Sequence, residues 1–224
     1  MLEQKKATEP PGTVAGKIPD FVGADAAADH LASLPTWQAA QVLKANPDKA
    51  QRAVRARALA DGKLLYMAVP RLADELPFFL LDPKHLDVSP WDAASKEGAA
   101  KAARKVPVSE LRPVDLVVCG SVVVNREGVR VGKGGGFSDL EVAFLIEAGL
   151  LGPETVLATT VHQLQVVDES LPETTHDFRV DLIITADEVI WCGQPQRPPG
   201  ILWEHLQQEK IAQIPALAAL ATQR

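Results

Sequence analysis

Residues 131–139 read VGKGGGFSD, and the three consecutive glycines stand directly before a predicted helix. Glycine costs backbone entropy and buries no side chain, so such a run indicates that something approaches the backbone itself. At a helix N-terminus, unpaired N–H groups and the positive end of the helix dipole favour an anion. The pattern therefore predicts phosphate binding, with Gly134, Gly135 and Gly136 against phosphate oxygens and Lys133 adding a positive charge.

This glycine run differs from the two common phosphate-binding motifs. A Walker A loop ends in Gly-Lys-Ser or Gly-Lys-Thr, whereas Lys133 precedes the glycines. A dinucleotide-binding fingerprint has glycine at the position of Phe137. Glycine clusters are common before helices, so a tight connection that binds no ligand remains an alternative at this point.

The start of the following helix carries a capping pattern. Ser138 and Glu141 stand three residues apart ahead of the sequence VAFLIEAG. This spacing predicts a capping box at the start of a helix over 139–148. Gly149 is predicted to end that helix.

The elements around this loop alternate in type. Apolar spacing predicts helices over 24–34, 37–44 and 48–62, the last closed by Gly62. Strands are predicted at KLLYMAVP, FFLLD, VDLVVCGSVVVN, GVRVG, TVLATTV, VDLIITA and VIWC. The tail predicts two short helices separated at Pro215. Strands that alternate with helices favour an α/β fold with a largely parallel sheet.

Composition and charge narrow the class of protein. A length of 224 residues with 46% hydrophobic and 23% charged residues is typical of one large domain. We expect residues 1–17 to be poorly ordered and residues 18–224 to form a single domain. The formal net charge of -6 argues against nucleic-acid binding. No apolar run is long enough for a membrane span.

Cysteine usage and the N-terminal residues indicate the compartment. Cys119 and Cys192 each lie in an apolar run, and no CxxC spacing is present. The first residues lack the apolar core of a signal peptide. The sequence therefore predicts a soluble cytoplasmic protein in which both cysteines are small core residues.

The sequence GVRVGKGGGFSD, residues 128–139, resembles the signature of the 5-formyltetrahydrofolate cyclo-ligase family, the methenyltetrahydrofolate synthetases. That signature has Arg-Leu-Gly, one variable residue, three glycines and Tyr-Tyr-Asp or similar. The matching residues are Arg130, Gly132, Gly134, Gly135, Gly136 and Asp139. The resemblance extends from about Ala24 to Trp191. It implies a three-layer α/β/α domain of the sugar-phosphate isomerase and coenzyme A transferase type.

The resemblance also implies a reaction. The family converts 5-formyltetrahydrofolate to 5,10-methenyltetrahydrofolate and cleaves ATP to ADP and phosphate. A formamide oxygen is a poor leaving group, and its phosphorylation by ATP lets nitrogen 10 attack the activated carbon. We therefore expect ATP and Mg²⁺ as cofactors, a folate as substrate, no macromolecular nucleic-acid or membrane partner, and a monomer or homodimer.

Several residues take roles in this scheme. The implied nucleotide-binding residues are Gly132, Gly134, Gly135, Gly136, Phe137 and Ser138. Arg130 and Lys133 would neutralise charge during phosphoryl transfer, and Asp139 and Asp177 would hold magnesium. A first-turn carboxylate that stabilises the helix dipole is the alternative for Asp139, and a surface turn residue is the alternative for Asp177.

The folate side of the predicted site is less specific. Tyr66 and Met67 lie late in a predicted strand, where they would face a pterin ring or pack in the core. His162 follows a predicted strand at the sheet end that commonly presents ligand groups. These three residues are the substrate-binding candidates.

The chain departs from the family pattern at the nucleotide side. Its N-terminus has Lys5 and Lys6 but no Lys-x-x-Leu-Arg pattern, and prolines stand at positions 10 and 11. Ser138 replaces an aromatic residue, and Leu140 stands where an arginine often follows the aspartate. Two functions therefore remain open: an active cyclo-ligase, or a divergent relative that binds a nucleotide, folate or related heterocycle without this reaction.

Overall fold

The structure is a computed structural model and describes residues 7–8, 15–193 and 195–222. Over these residues, helices and strands alternate as the sequence pattern predicts. The α-helices are α1 (Ala24–Ser33), α2 (Pro35–Ala39), α3 (Arg52–Ala60), α4 (Pro90–Ala93), α5 (Lys96–Ala102), α6 (Phe137–Glu147), α7 (Gln208–Gln213) and α8 (Pro215–Ala221). The strands are β1 (Val42–Ala45), β2 (Leu64–Ala68), β3 (Phe78–Leu81), β4 (Arg104–Val106), β5 (Val114–Cys119), β6 (Val123–Asn125), β7 (Arg130–Val131), β8 (Leu151–Thr160), β9 (Val166–Val167), β10 (Leu182–Ile184) and β11 (Val189–Trp191).

A central sheet organises the chain. Its strand order is β11-β10-β8-β5-β1-β2-β3-β4. The five strands from β10 to β2 are parallel, whereas β11, β3 and β4 pair in antiparallel fashion at the two edges. A second sheet of order β7-β6-β9 follows β5. The predicted α/β class with a largely parallel sheet is confirmed.

Both faces of the central sheet are covered, which makes the fold three-layered. Along β5, Leu116 and Val118 pack into one hydrophobic core, and Val117 and Cys119 pack into the other. This alternation follows from the two-residue period of a strand. The first core includes α1 and α3, and the second includes α6 and α8. Continuous apolar strands such as VDLVVC are typical of sheets buried on both faces.

The helix predicted over 37–44 is wrong. Helix α2 ends at Ala39, and Val42–Ala45 form β1, with all four of these residues buried. Strand β1 lies between β2 and β5 near the centre of the sheet. A short apolar run does not distinguish a buried strand from a helix, so pairing with distant strands decides its conformation.

The predicted capping box at Ser138 and Glu141 is also wrong. Helix α6 begins at Phe137, and its N-cap is Gly136 with a φ of 64°. Ser138 and Glu141 already lie inside the helix. The left-handed backbone at Gly136 turns the chain into α6, so no side chain is needed to make that turn.

The strand predicted at VDLVVCGSVVVN, residues 114–125, is two strands, β5 and β6, which lie in different sheets. Most of the remaining predicted elements are confirmed. Helix α1 covers the predicted range, α3 is followed by Gly62 with a φ of 76°, and Pro215 separates α7 from α8. Gly149, with a φ of 67°, follows α6. Cys119 and Cys192 are buried and free.

The N-terminal predictions fall largely outside the described residues. Residues 1–6 and 9–14, with the two lysines and two prolines noted above, are among those not described. Ala7 and Thr8 are buried, and Thr8 forms an isolated bridge with Phe21. The disorder of residues 1–17 and the single domain over 18–224 stay predictions. No helix in the described ranges is long and apolar enough to cross a membrane.

Candidate functional site

A cavity of about 630 Å³ opens at the carboxyl ends of the parallel strands. Asn46 and Asp48 reach it from the loop after β1, Arg71 from the loop after β2, and Gly120 from the end of β5. Ligands of open parallel sheets bind at this edge because the loops that leave the strands converge there. We call this space the first cavity.

The glycine loop, residues 132–136, forms one wall of the first cavity. Gly134 has a φ of 81° and Gly136 a φ of 64°, a conformation that side chains rarely adopt. A Cβ atom on either glycine would meet nothing within 4 Å, so open space adjoins both. No backbone N–H of Gly134, Gly135 or Gly136 donates to another described residue. The loop therefore presents free amides beside the N-terminus of α6.

An ion pair joins strand β7, which leads into the glycine loop, to helix α6. Arg130 Nη2 donates to Asp139 Oδ1 at 2.7 Å, and the Arg130 guanidinium lies 4.2 Å from the centroid of the Phe178 ring. Arg130 is 7% exposed, and its Nε is buried without a partner among the described residues. A buried donor without a partner costs free energy unless a ligand satisfies it. Arg130 is therefore held in place with hydrogen-bonding capacity to spare.

A second ion pair crosses the first cavity. Lys133 Nζ donates to Asp48 Oδ1 at 2.8 Å, and the Lys133 side chain is 44% exposed whereas that of Asp48 is 11% exposed. Such a partly exposed pair contributes little to stability. Lys133 is therefore able to leave Asp48 for an anion at modest cost.

A buried network of hydrogen bonds lies between strand β1 and helix α6. Lys44 Nζ donates to Asn46 Oδ1 at 2.7 Å and to a carboxylate oxygen of Glu141. Asn46 Nδ2 donates in turn to Ser138 Oγ at 2.6 Å. The network links β1 to the first turns of α6, and so the two residues predicted to cap α6 instead fix its position against the sheet.

Arg55 fixes the loop that carries Asn46 and Asp48. It is 1% exposed and donates to the backbone carbonyls of Asn46, Asp48 and Ala94. Burial lowers the pKa of Arg55 to about 9, with the Asp48 carboxylate acting in the opposite direction. The side chain is therefore charged at neutral pH. Its contacts with Asn46 and Asp48 hold the loop in shape, and its contact with Ala94 ties the loop to the end of α4.

The two predicted magnesium ligands line the same cavity. Asp139 contributes one oxygen to Arg130. Asp177 Oδ2 accepts from the backbone N–H of Thr174 at 2.7 Å and from its hydroxyl at 3.0 Å. Among the described residues no group of three His, Cys, Asp or Glu side chains is placed to hold a metal. Mg²⁺ commonly takes only one or two carboxylates together with waters and substrate phosphates, and two carboxylates that line one cavity are compatible with such a site.

The structure does not bring the three predicted substrate-binding residues to the first cavity. Tyr66 is 1% exposed and its hydroxyl accepts from the Arg112 N–H at 3.1 Å, and Met67 is fully buried in the core. His162 Nδ1 accepts from the backbone N–H of Leu164, and burial lowers its pKa. Substrate contact by these side chains stays a prediction.

The other predicted residues converge on the first cavity, and several further residues join them there. The predicted residues that line it are Arg130, Gly132, Lys133, Gly134, Gly135, Gly136, Phe137, Ser138, Asp139 and Asp177. The residues that sequence reasoning missed include Asn46, Asp48, Arg71, Lys96 and Glu141. Asn46 and Asp48 belong to the sequence NPD at 46–48. This sequence indicates the end of a helix when a helix is predicted before it, and a loop at the end of a strand when a strand is.

A second cavity, of about 340 Å³, adjoins the first cavity at the glycine loop. Gly134, Gly135 and Gly136 line both cavities, as do Asp139 and His176. Residues 200–213, which we call the C-terminal segment, supply its far wall. The segment contributes apolar side chains and the polar groups of His205 and Lys210.

Comparison with known proteins gives one family. The model of the 5-formyltetrahydrofolate cyclo-ligase family matches residues 1–186. A methenyltetrahydrofolate synthase domain-containing protein of Danio rerio is 38% identical over 226 residues, which cover 99% of this chain and 59% of that protein. Its Mus musculus counterpart is 37% identical over 224 residues, 98% of this chain and 60% of that protein. The chain thus spans about three-fifths of the length of these relatives.

One solved structure shows the same fold. The NMR structure of Aquifex aeolicus 5,10-methenyltetrahydrofolate synthetase aligns with a TM-score of 0.53 and 20% sequence identity. The alignment covers 92% of this chain and all of that one. At this level of identity the likeness is one of fold.

Proposed function

Because this chain belongs to the 5-formyltetrahydrofolate cyclo-ligase family, we propose that it catalyses the ATP-dependent cyclisation of 5-formyltetrahydrofolate to 5,10-methenyltetrahydrofolate. The main support for this proposal is the geometry of the glycine loop. Its free amides, two left-handed glycines and the N-terminus of α6 meet Arg130 and Lys133 at one cavity. Free amides and cations of this kind bind the phosphates of a nucleotide.

In the proposed complex, the backbone of residues 132–138 binds the phosphates of ATP. The Ser138 hydroxyl is already bonded to Asn46, so Ser138 contributes its backbone N–H at the first turn of α6. Phe137 is partly buried and packs against the second core. The Phe137 ring lies beside Gly135. The absence of side chains at Gly134 and Gly136 lets phosphate oxygens reach the loop amides.

Arg130 and Lys133 supply the positive charge that phosphoryl transfer needs. Arg130 is fixed by Asp139 and Phe178 and has a buried Nε without a described partner, which suits a donor held ready for a phosphate. Lys133 exchanges Asp48 for the phosphate as the nucleotide binds. These two residues are the proposed catalytic groups.

Asp139 and Asp177 are the proposed magnesium ligands. Each has an oxygen that is not engaged by a close hydrogen bond in the described structure. Magnesium held by these two carboxylates would offset the negative charge of the phosphates. The hydrogen bond from Arg130 fixes the orientation of the Asp139 carboxylate.

The folate would occupy the rest of the first cavity. Its volume of about 630 Å³ lies within the range of cofactor and substrate sites. Asn46, Asp48 and Arg71 line this part and offer hydrogen bonds or charge to a pterin and its glutamate tail. With nitrogen 10 beside the formyl carbon, ring closure forms one C–N bond while the formyl oxygen leaves with phosphate.

An absorbance assay tests the proposal. The protein is mixed with 5-formyltetrahydrofolate, ATP and Mg²⁺, and the near-ultraviolet band of the methenyl product is followed, with ATP omitted as the first control. We expect the band only when ATP is present. Lys133→Met is expected to slow product formation at least about tenfold, because it removes a charge at the phosphates. Lys101→Met, which changes an exposed lysine of α5, serves as the matched control.

The assay also separates the two functions that the sequence left open. Product formation with ATP supports the cyclo-ligase. ATP binding without any product would overturn the proposed reaction and favour the divergent relative. Leu140 in place of a family arginine is the feature that makes this second outcome worth testing.

A further inference from the structure

The C-terminal segment makes a direct contact with the glycine loop. Lys210 Nζ donates to the backbone carbonyl of Gly135 at 2.8 Å, across 75 residues of sequence. The same ammonium group lies 3.5 Å from the centroid of the Phe137 ring. Lys210 lies beyond residue 186, where the match to the family model ends.

The hydrogen bond determines which way one peptide of the loop faces. In a trans peptide the carbonyl and the following N–H point in opposite directions. Because Lys210 holds the carbonyl of Gly135 on the side of the second cavity, the N–H of Gly136 is turned away from Lys210. Gly136 also lines the first cavity, which Lys210 does not line.

The loop has few other restraints on this geometry. Glycines at 134–136 have the widest conformational freedom of any residue, and their amides make no bonds to described residues. A free loop of this kind loses entropy when it binds an anion. A contact that selects one orientation beforehand reduces that loss.

The charges near the loop also favour an anion there. Lys210 and Arg71 form no ion pair with any residue that the structure describes. Burial lowers the pKa of Lys210, and the nearby Arg71 guanidinium lowers it further. Two neighbouring cations repel each other, and an anion placed beside them relieves that repulsion.

We propose that Lys210 is a positioning residue of the nucleotide site, which orients the Gly135–Gly136 peptide so that its amide meets a phosphate oxygen. This inference rests on the proposed function, since it assigns part of the nucleotide site to the C-terminal segment. The relatives from Danio rerio and Mus musculus align over almost all of this chain, so the segment is part of what they share with it.

The test compares three variants of the full chain. ATP affinity is measured by titration calorimetry for the parent, Lys210→Met, Lys210→Arg and the exposed control Lys101→Met. We expect Lys210→Met to weaken ATP binding by about tenfold or more, as loss of a charge-assisted hydrogen bond does. Lys210→Arg keeps a donor and a charge, so its affinity is expected to stay within about threefold of the parent.

Comparing the KM values for the two substrates shows whether Lys210 orients the loop peptide or only attaches the C-terminal segment. In the absorbance assay, Lys210→Met is expected to raise the KM for ATP while the KM for 5-formyltetrahydrofolate stays at the parent value. Unfolding in urea reports the stability of each variant. Suppose instead that Lys210→Met weakens the binding of both substrates in proportion to its loss of stability, and that Lys210→Arg does not restore binding. Lys210 would then only anchor the segment, and the inference would be overturned.

The remaining outcomes separate this inference from the proposed function. If the parent binds no ATP, both are overturned. If the parent binds ATP and Lys210→Met binds it as tightly as Lys101→Met does, the inference alone fails and the cyclo-ligase proposal stands.

Discussion

Asp139 accepts a hydrogen bond from Arg130 at 2.7 Å, and this contact ties strand β7 to the first turn of α6. The two side chains are 16% and 3% exposed, so the pair is largely removed from water. A buried pair of this kind is costly to break because one charge is left without its partner. Asp139 therefore serves the fold as well as the proposed magnesium site.

Substitution of Asp139 separates these two roles. Asp139→Ala leaves Arg130 buried without an acceptor and is expected to lower the free energy of unfolding by about 3 to 5 kcal/mol. Asp139→Asn keeps an acceptor and is expected to cost about 1 to 2 kcal/mol, yet to raise the Mg²⁺ concentration for half-maximal activity about tenfold. Urea unfolding and Mg²⁺ titration of product formation measure the two effects. An unchanged Mg²⁺ requirement in Asp139→Asn would leave that residue a structural role only.

The buried contact between Lys44 and Glu141 gives a second prediction. Their side chains are 1% and 6% exposed. Lys44→Met and Glu141→Leu are each expected to lose about 3 to 5 kcal/mol of unfolding free energy, because each leaves one charge unpaired. The double variant is expected to recover most of that loss, and a double-mutant cycle in urea measures the coupling. Losses that simply add in the double variant would show that the two side chains are not coupled.

The left-handed backbone of Gly134 gives a third prediction. A Cβ atom there meets nothing within 4 Å, so Gly134→Ala is expected to fold, but the φ of 81° strains alanine by about 1 to 2 kcal/mol. The loop is expected to relax away from its anion-binding shape, which raises the KM for ATP and leaves that for the folate unchanged. Gly152→Ala is the control, since Gly152 also has open space and lies in β8 away from the site. Equal ATP kinetics in both variants would count against the loop geometry.

Arg55 gives a fourth prediction, on the loop after β1. Arg55→Met removes the donor from three backbone carbonyls and is expected to cost about 3 kcal/mol or more of unfolding free energy. Arg52→Met, on the same helix, removes an exposed guanidinium that stacks on Trp91 and is expected to cost less than about 1.5 kcal/mol. Thermal or urea unfolding compares the two, and a similar cost for both would contradict the positioning role of Arg55.

Local patterns in the sequence were sufficient for much of the fold. Alanine-rich amphipathic spacing gave α1 and α3, and continuous apolar runs gave β2, β5 and β10. The glycine run before an apolar helix was enough to predict a loop with a bare backbone at a helix N-terminus, because backbone freedom is a local property. That an anion binds there stays a prediction. The sequence signature that includes Arg130 and Asp139 was sufficient to identify the protein family.

Non-local contacts account for what the sequence did not reveal. Strand β1 is decided by pairing with β2 and β5, and Asn46 and Asp48 reach the first cavity only because that strand is parallel to its neighbours. Ser138 and Glu141 match a capping box in sequence but bond to Asn46 and Lys44 instead. Lys210 reaches the glycine loop through a tertiary contact that no local pattern indicates.

In the proposed reaction, the formyl oxygen is activated by phosphorylation from ATP at the glycine loop. The most direct measurement uses 5-formyltetrahydrofolate labelled with oxygen-18 in the formyl group, incubated with the protein, ATP and Mg²⁺. From this proposal we expect that methenyl product forms and that the label is recovered in inorganic phosphate, as one oxygen per product. Product that forms while the label passes to water, or forms equally well without ATP, would contradict it.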